Sequence, residues 1–390
     1  FMGMSSGSMS AMSVFLKPLS ADMNWQRGET AFAYMAAAFF MGICGILMGH
    51  LSDRYSARPV VLAGAATLGI SFLLLSSQNS LWQFYLFYSL LGLGVSTFDA
   101  PLIATVGNWF DRNKGLAMGV SSACRALGTG VVPFIAGYLI TVFGWRGAYI
   151  TLGIFVLAVL IPLALLVRKP PALQKAAAAS HAVPSAPEES FPVSPWAANT
   201  WLSVAAVFCC MCMATPLVHA VALAQDRGID AQKAAGILLL ISLASFMGRI
   251  AYGKIADHVG GLRAYLLASL AQSILVFWFT QMTSLASFYV LALFFGFFYS
   301  GVMICLVVCV REFTPPHMRG VSTGIVFFFA WTGMGLGGYQ AGFFFDLTGA
   351  YTVSFANAAL AGVVNLAILL SLRRFIARRE FALAQEMGTA

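Results

Sequence analysis

Four ionisable side chains interrupt long apolar runs and carry most of the chemistry open to this chain. They are Arg249 in Ser245-Phe246-Met247-Gly248-Arg249-Ile250, Arg125 in Cys124-Arg125-Ala126-Leu127-Gly128, Asp99 just before Ala100-Pro101, and His219 in Pro216-Leu217-Val218-His219. A guanidinium stays charged and its planar fork fits a carboxylate through two parallel hydrogen bonds. Arg249 is therefore a candidate to hold an anionic substrate, the alternative being a structural pair with Asp257. Arg125 is a second anion-binding candidate or the partner of Asp99. Asp99 is that partner or a protonatable coupling group. His219 alone titrates near neutrality when unperturbed, and is either a proton relay or a hydrogen-bonded packing residue. Two buried positive charges against one negative favour an anion over a cation.

Polar and aromatic residues in neighbouring runs are candidates to line the site: Tyr34, Tyr299, Gln340 and Asn357, with Ser300, Trp331, Tyr339 and Asn365 behind them. The sulfur-rich stretch Cys209-Cys210-Met211-Cys212-Met213 invites Cu(I), which thiolates and thioethers select. On a helix only Cys209 with Cys212 or Met213 would share a face, so packing is the preferred reading and no metal is expected. No G-x-x-x-x-G-K-[ST] loop is present, so no nucleotide and no cofactor is expected.

The elements that must position these groups follow from composition. Of 390 residues, 60% are apolar and 9% charged, and the mean hydropathy is +0.84. A soluble domain carries about 25% charge. This excludes a soluble enzyme, a nucleic-acid-binding protein and a disordered chain, and implies a polytopic protein of the lipid bilayer. Apolar stretches fall near 1–20, 29–50, 59–78, 81–106, 114–141, 147–167, 197–221, 231–252, 262–281, 284–310, 319–343 and 350–372, here spans 1 to 12. The expected fold is all-α, with an N-terminal six-helix bundle over 1–167, a linker over 168–196 rich in Ala, Ser and Pro, a C-terminal bundle over 197–372 and a tail over 373–390. The opening run begins at Phe1 and ends at Lys17, short for a span of about 20 residues. It has no basic leader, so the numbering is expected to start part-way down the first helix. The seven cysteines all lie in apolar runs and imply no disulfide framework.

Lysine and arginine number 15 on the side of the linker and tail against 5 on the other, with two inside spans. That places the linker and C-terminus in the cytoplasm of a cell-membrane (inner-membrane) protein. The net charge of +8 is thus topology rather than a nucleic-acid patch.

Gly49-His50-Leu51-Ser52-Asp53-Arg54 recurs as Gly253-Lys254-Ile255-Ala256-Asp257-His258 at an offset of 204 residues. Gly115-Leu116-Ala117-Met118-Gly119 recurs as Gly320-Val321-Ser322-Thr323-Gly324 at 205, and Gly144-Trp145-Arg146 loosely as Gly349-Ala350-Tyr351 at the same offset. Six spans per repeat make it parallel, with a pseudo-twofold axis along the membrane normal and a site between the halves.

With these residues in place the chain resembles the major facilitator superfamily over its whole length, the loop after span 2 matching that family's best-known signature. In that loop Asp53 with Arg54 or Arg58, and Asp257 in its repeat, are candidates for a conformational latch. Trp109-Phe110-Asp111-Arg112-Asn113-Lys114-Gly115-Leu116-Ala117-Met118-Gly119 and Ser245–Gly253 further resemble the monocarboxylate porter and oxalate/formate antiporter branch, in which the arginine at the position of Arg249 binds substrate. Animal members carry a carboxylate where Ser245 stands and a lysine near Ser10, so proton coupling here must differ or be absent. The resemblance implies a monomeric secondary transporter, not an enzyme, that moves a small organic anion by alternating access with a proton or in exchange. A drug/proton efflux antiporter and a Cu(I) carrier are the alternatives.

Overall fold

The chain is helical almost throughout, and no β-strand occurs among the described residues. The computed structural model describes residues 1–55, 57–109, 114–168, 193–315 and 318–388, and at Asp53 and Asp99 the backbone but not the side chain. Span 1 is built from two segments, Met2–Ser10 and Met12–Asp22. Spans 2, 3 and 4 are Arg27–Tyr55, Ala57–Ser76 and Leu81–Trp109. A single run, Lys114–Phe155, carries span 5 and the start of span 6, which continues through a π-helical turn, Val156–Leu160, into Ile161–Leu165. Spans 7 to 12 are Pro195–Asp226, Ala231–Val259, Gly261–Trp278, Leu285–Phe313, Arg319–Thr348 and Thr352–Gly388. The last helix therefore carries residues 373–388 as an unbroken extension. Among the described residues eight helices are long and apolar enough to cross a membrane, and one of them, Ala123–Leu165, covers two of the spans.

Turn chemistry sets the helix ends. Ser194, Asp230 and Ser284 accept backbone hydrogen bonds as N-caps of spans 7, 8 and 10. The repeat is visible in backbone angles. Gly144 between spans 5 and 6 has φ 70°, and Gly349 between spans 11 and 12 has φ 68°. Positive φ is a region glycine enters without steric cost, so the loosest sequence landmark falls at a chain reversal in each half, with ψ 172° at Gly144 and 4° at Gly349.

Packing repeats as well. In the first half span 1 packs on 5, 2 on 4, and 3 on 4; in the second, 7 packs on 11, 8 on 10, and 9 on 10. The halves join where span 2 meets 11 and span 5 meets 8, two contacts that exchange under the pseudo-twofold. At the second of these Gly130 brings span 5 against the backbone of Leu238 and Leu239; its repeat mate Gly335 brings span 11 against Met35. Lipid supplies no hydrophobic drive between helices, so such close backbone approach through small residues supplies the van der Waals contact that holds the crossings.

Candidate functional site

Span 8 aims its polar face by its contacts. Gly248 fits against Phe297 and Ser300 of span 10, while Ser242 faces Gly130 of span 5. Ser245 and Arg249, four residues apart and so on one face, fall between those two contacts and point to the junction of the halves. There Arg249 interacts electrostatically with Tyr299 of span 10 and lies within electrostatic range of Arg125 of span 5. The Arg125 guanidinium sits 5.6 Å from the ring centre of Trp331 on span 11, within cation–π range. Tyr34 of span 2 is buried and interacts electrostatically with Tyr299. Four of the expected site residues, Arg249, Arg125, Tyr299 and Tyr34, thus converge from both halves. The Ser245 hydroxyl beside them is buried without a protein partner. Two guanidinium groups held this near repel each other, and an anion between them relieves the repulsion.

Gln340 and Asn357 form a different group. The Gln340 amide nitrogen donates to the Thr215 hydroxyl at 2.9 Å and to the Ser354 carbonyl at 3.3 Å, and its oxygen accepts from Asn357 at 3.0 Å. These bonds tie spans 7, 11 and 12 together. Asn365 likewise donates to Ser269 of span 9.

His219 is fully buried. Its Nδ1 lies 3.0 Å from the Tyr351 hydroxyl and its Nε2 2.8 Å from the Gly338 carbonyl. The Tyr351 oxygen accepts in turn from Arg27 Nη1 at 3.0 Å. Arg27 binds both oxygens of Asp226, and Lys17 Nζ reaches the same carboxylate at 3.0 Å. Asp346 of span 11 accepts from the backbone nitrogens of Arg27 and Gly28, capping span 2 from the other half. Lys17 and Arg27 belong to the first half and Asp226, Asp346 and Tyr351 to the second, so this end of the molecule is locked by charge.

The latch expected from the sequence lies at the opposite end. The side chains of Asp53 and Asp99 lie outside the described residues. Arg54, Arg58 and Asp257 are exposed, and Arg54 stacks on Tyr55. Among the described residues the ion pairs are Lys17–Asp226 and Arg27–Asp226. The repeat held the missing signal: Asp22 and Asp226 stand 204 residues apart at the ends of the first spans of the two halves. Cys209 and Cys212 are buried and share a neighbour, Gln272 of span 9. Among the described residues no cluster of three or more His, Cys, Asp or Glu is placed to hold a metal ion. A pocket of about 450 Å³ beside the lock, walled by Phe32, Tyr85, Tyr339 and Phe343, is separate from the arginines.

Two equivalent helical halves, with a charged junction between them, are matched by known proteins. The family model described as Major Facilitator Superfamily matches residues 1–338. Monocarboxylate transporter 12 of Xenopus laevis is 24% identical over 94% of this chain and 85% of its own length. Monocarboxylate transporter 13 of Rattus norvegicus is 27% identical over 83% and 75%, and the agnestins efflux protein AgnL12 of Paecilomyces divaricatus 24% identical over 80% and 68%. Among solved structures, a bacterial homologue of the human lysosomal transporter Spinster in an inward-facing, occupied conformation superposes with a TM-score of 0.69 at 14% identity, covering 97% of this chain and 94% of that one. A peptide transporter, POT, in complex with sulfate superposes with a TM-score of 0.72 at 15% identity, covering 97% and 93%. The repeat, the paired crossings and the matched sequence agree: this chain is a membrane transporter of the Major Facilitator Superfamily.

Proposed function

We propose that the chain carries a small organic anion, a monocarboxylate, across the cell membrane by alternating access. The observation that supports this reading is the approach of Arg125 and Arg249 from opposite halves, with Tyr299 beside them. Arg249 holds the carboxylate, Arg125 adds positive potential, and Tyr299 and Tyr34 fix the orientation of the anion. The Ser245 hydroxyl is a donor available to a second substrate oxygen. Gln340 and Asn357 brace the wall behind this set. The names of the monocarboxylate transporter relatives support the same substrate class.

Substrate moves with a proton or in exchange for a second anion; His219 and Asp99 are the groups that couple protons. The chain works as a monomer, with the linker, the C-terminal extension and the loop latch of Asp53, Arg54, Arg58 and Asp257 on the cytoplasmic side. The lock of Lys17, Arg27 and Asp226 then closes the outer side.

The efflux names among the relatives favour a second reading, export of a larger organic compound. Uptake of labelled lactate into proteoliposomes containing a pH indicator separates the possibilities. Lactate entry with acidification indicates symport, entry only against internal oxalate or lactate indicates exchange, and no entry of either anion rejects the monocarboxylate reading.

A further inference from the structure

His219 is buried, yet its hydrogen bonds lead out to the charged end of the molecule, and the direction of each is fixed. A carbonyl only accepts, so the bond to Gly338 places a hydrogen on Nε2 and leaves a lone pair on Nδ1. The Tyr351 hydroxyl therefore donates to Nδ1, and its oxygen accepts from Arg27. One phenol stands between a buried titratable ring and the ion pair that joins the two halves.

We propose that Tyr351 couples the protonation of His219 to the Lys17–Arg27–Asp226 lock, so that a proton taken up at Nδ1 releases the two halves at this end. The inference rests on the reading of His219 as a proton-coupling group.

The proton comes from water at this end, and no bond between heavy atoms changes. Once Nδ1 carries a hydrogen it can no longer accept from Tyr351. The hydroxyl must rotate so that its oxygen receives N–H groups from two cations, His219 and Arg27. Its own hydrogen then turns toward Asp226, whose charge already acts on Tyr351, and competes with Arg27 for that carboxylate. Span 1 contributes Lys17 to this neighbourhood, span 2 Arg27 and Tyr34, span 7 Asp226, span 11 Asp346, and the start of span 12 Tyr351. Asp346 is occupied in capping span 2. Spans 8, 9 and 10 also pack on span 7, and among the described residues they supply no charged group acting on His219.

The relay also touches the central site. Tyr34 packs so close to Gly338, whose carbonyl receives Nε2, that a Cβ there would lie 2.8 Å from its ring. Tyr34 in turn neighbours Tyr299, the partner of Arg249. Substrate occupancy and the state of the lock are therefore joined through packed side chains, the physical connection that coupling needs.

The test uses full-length protein in nanodiscs with Cys124→Ser and spin labels at Ser77→Cys and Thr283→Cys, two exposed positions in equivalent turns of the halves at the lock end. Electron–electron distance distributions are recorded from about pH 8 to about pH 4.5, spanning the range in which histidine takes up a proton. The expected result is that acid raises the long-distance population relative to the short one by about tenfold. In Tyr351→Phe and His219→Gln this response falls below about twofold, and Asp226→Asn is open at every pH. Tyr351→Phe keeps the ring that packs on Phe345, and His219→Gln provides a second probe if that variant does not fold. A full acid response in Tyr351→Phe with loss in His219→Gln overturns the coupling but leaves His219 as the proton site. A response retained in His219→Gln, or absent from the parent, overturns both. The organic-anion reading is judged separately, by counterflow dependent on Arg249 at constant pH.

Discussion

Arg27 grips both carboxylate oxygens of Asp226 across the junction of the halves, joining positions 199 residues apart in the chain. Asp226 is exposed at the rim of the junction, so the pair contributes about 0.2–1 kcal/mol, its two-pronged geometry favouring the upper end. Asp226→Asn is expected to weaken closure at this end. The check is maleimide labelling of Cys210, which is fully buried and interacts with Tyr34. Its rate should rise roughly tenfold for each 1.4 kcal/mol lost from the lock. An unchanged rate would mean that other contacts keep this end closed.

Gly130 and Gly335 predict an asymmetric pair of defects. A Cβ at Gly130 would lie 2.7 Å from the Leu239 Cα, and at Gly335 3.1 Å from the Met35 Cα. Backbone cannot yield as a flexible side chain does, so Gly130→Ala should cost about 1–3 kcal/mol by overpacking. Gly335→Ala should cost less. Thermal unfolding and counterflow of the two variants give the order.

The amide pair of Gln340 and Asn357 should behave as a unit. Removing either side chain leaves buried partners unsatisfied, at about 1–3 kcal/mol. The double replacement Gln340→Leu with Asn357→Leu is therefore expected to cost less than the two single replacements added together. Thermal melts around this double-mutant cycle read the coupling.

The parts of this fold that can be read from sequence have loud local signals. Twelve apolar runs and an offset of 204 to 205 residues define the halves and their parallel sense. Arg249 and Arg125 stand out because a charge at membrane depth costs several kcal/mol and so demands a reason. Lys17, Arg27 and Asp226 carry no such signal. Charges are ordinary at span ends, and only the folded chain brings these three together. Tyr351 was visible as part of a loose repeat landmark but not as a hydrogen-bonding partner of His219. The tie between Gln340 and Asn357 was hidden for the same reason, since polar residues on apolar helices serve as interhelical bonds or as cavity lining with the same composition.

Tyr299 offers a finer probe of the central site. Its hydroxyl interacts with Arg249, so Tyr299→Phe keeps the ring stacked on Phe295 while removing one polar contact. A single hydrogen bond contributes about 1 kcal/mol. The apparent KM for the transported anion should rise about fivefold, with the maximal rate of counterflow nearly unchanged. An unchanged KM would place Tyr299 outside the substrate's reach.

The hold of Arg249 on an organic anion's carboxylate is read by counterflow of radiolabelled lactate and oxalate into proteoliposomes. The parent protein is compared with Arg249→Ala and Arg249→Lys. Loss of flux in Arg249→Ala and at least about a tenfold reduction in Arg249→Lys, which keeps the charge but loses the planar fork, is the expected result. Equal flux in all three proteins, or no flux of either anion beside transport of a cationic drug or Cu(I), would contradict it.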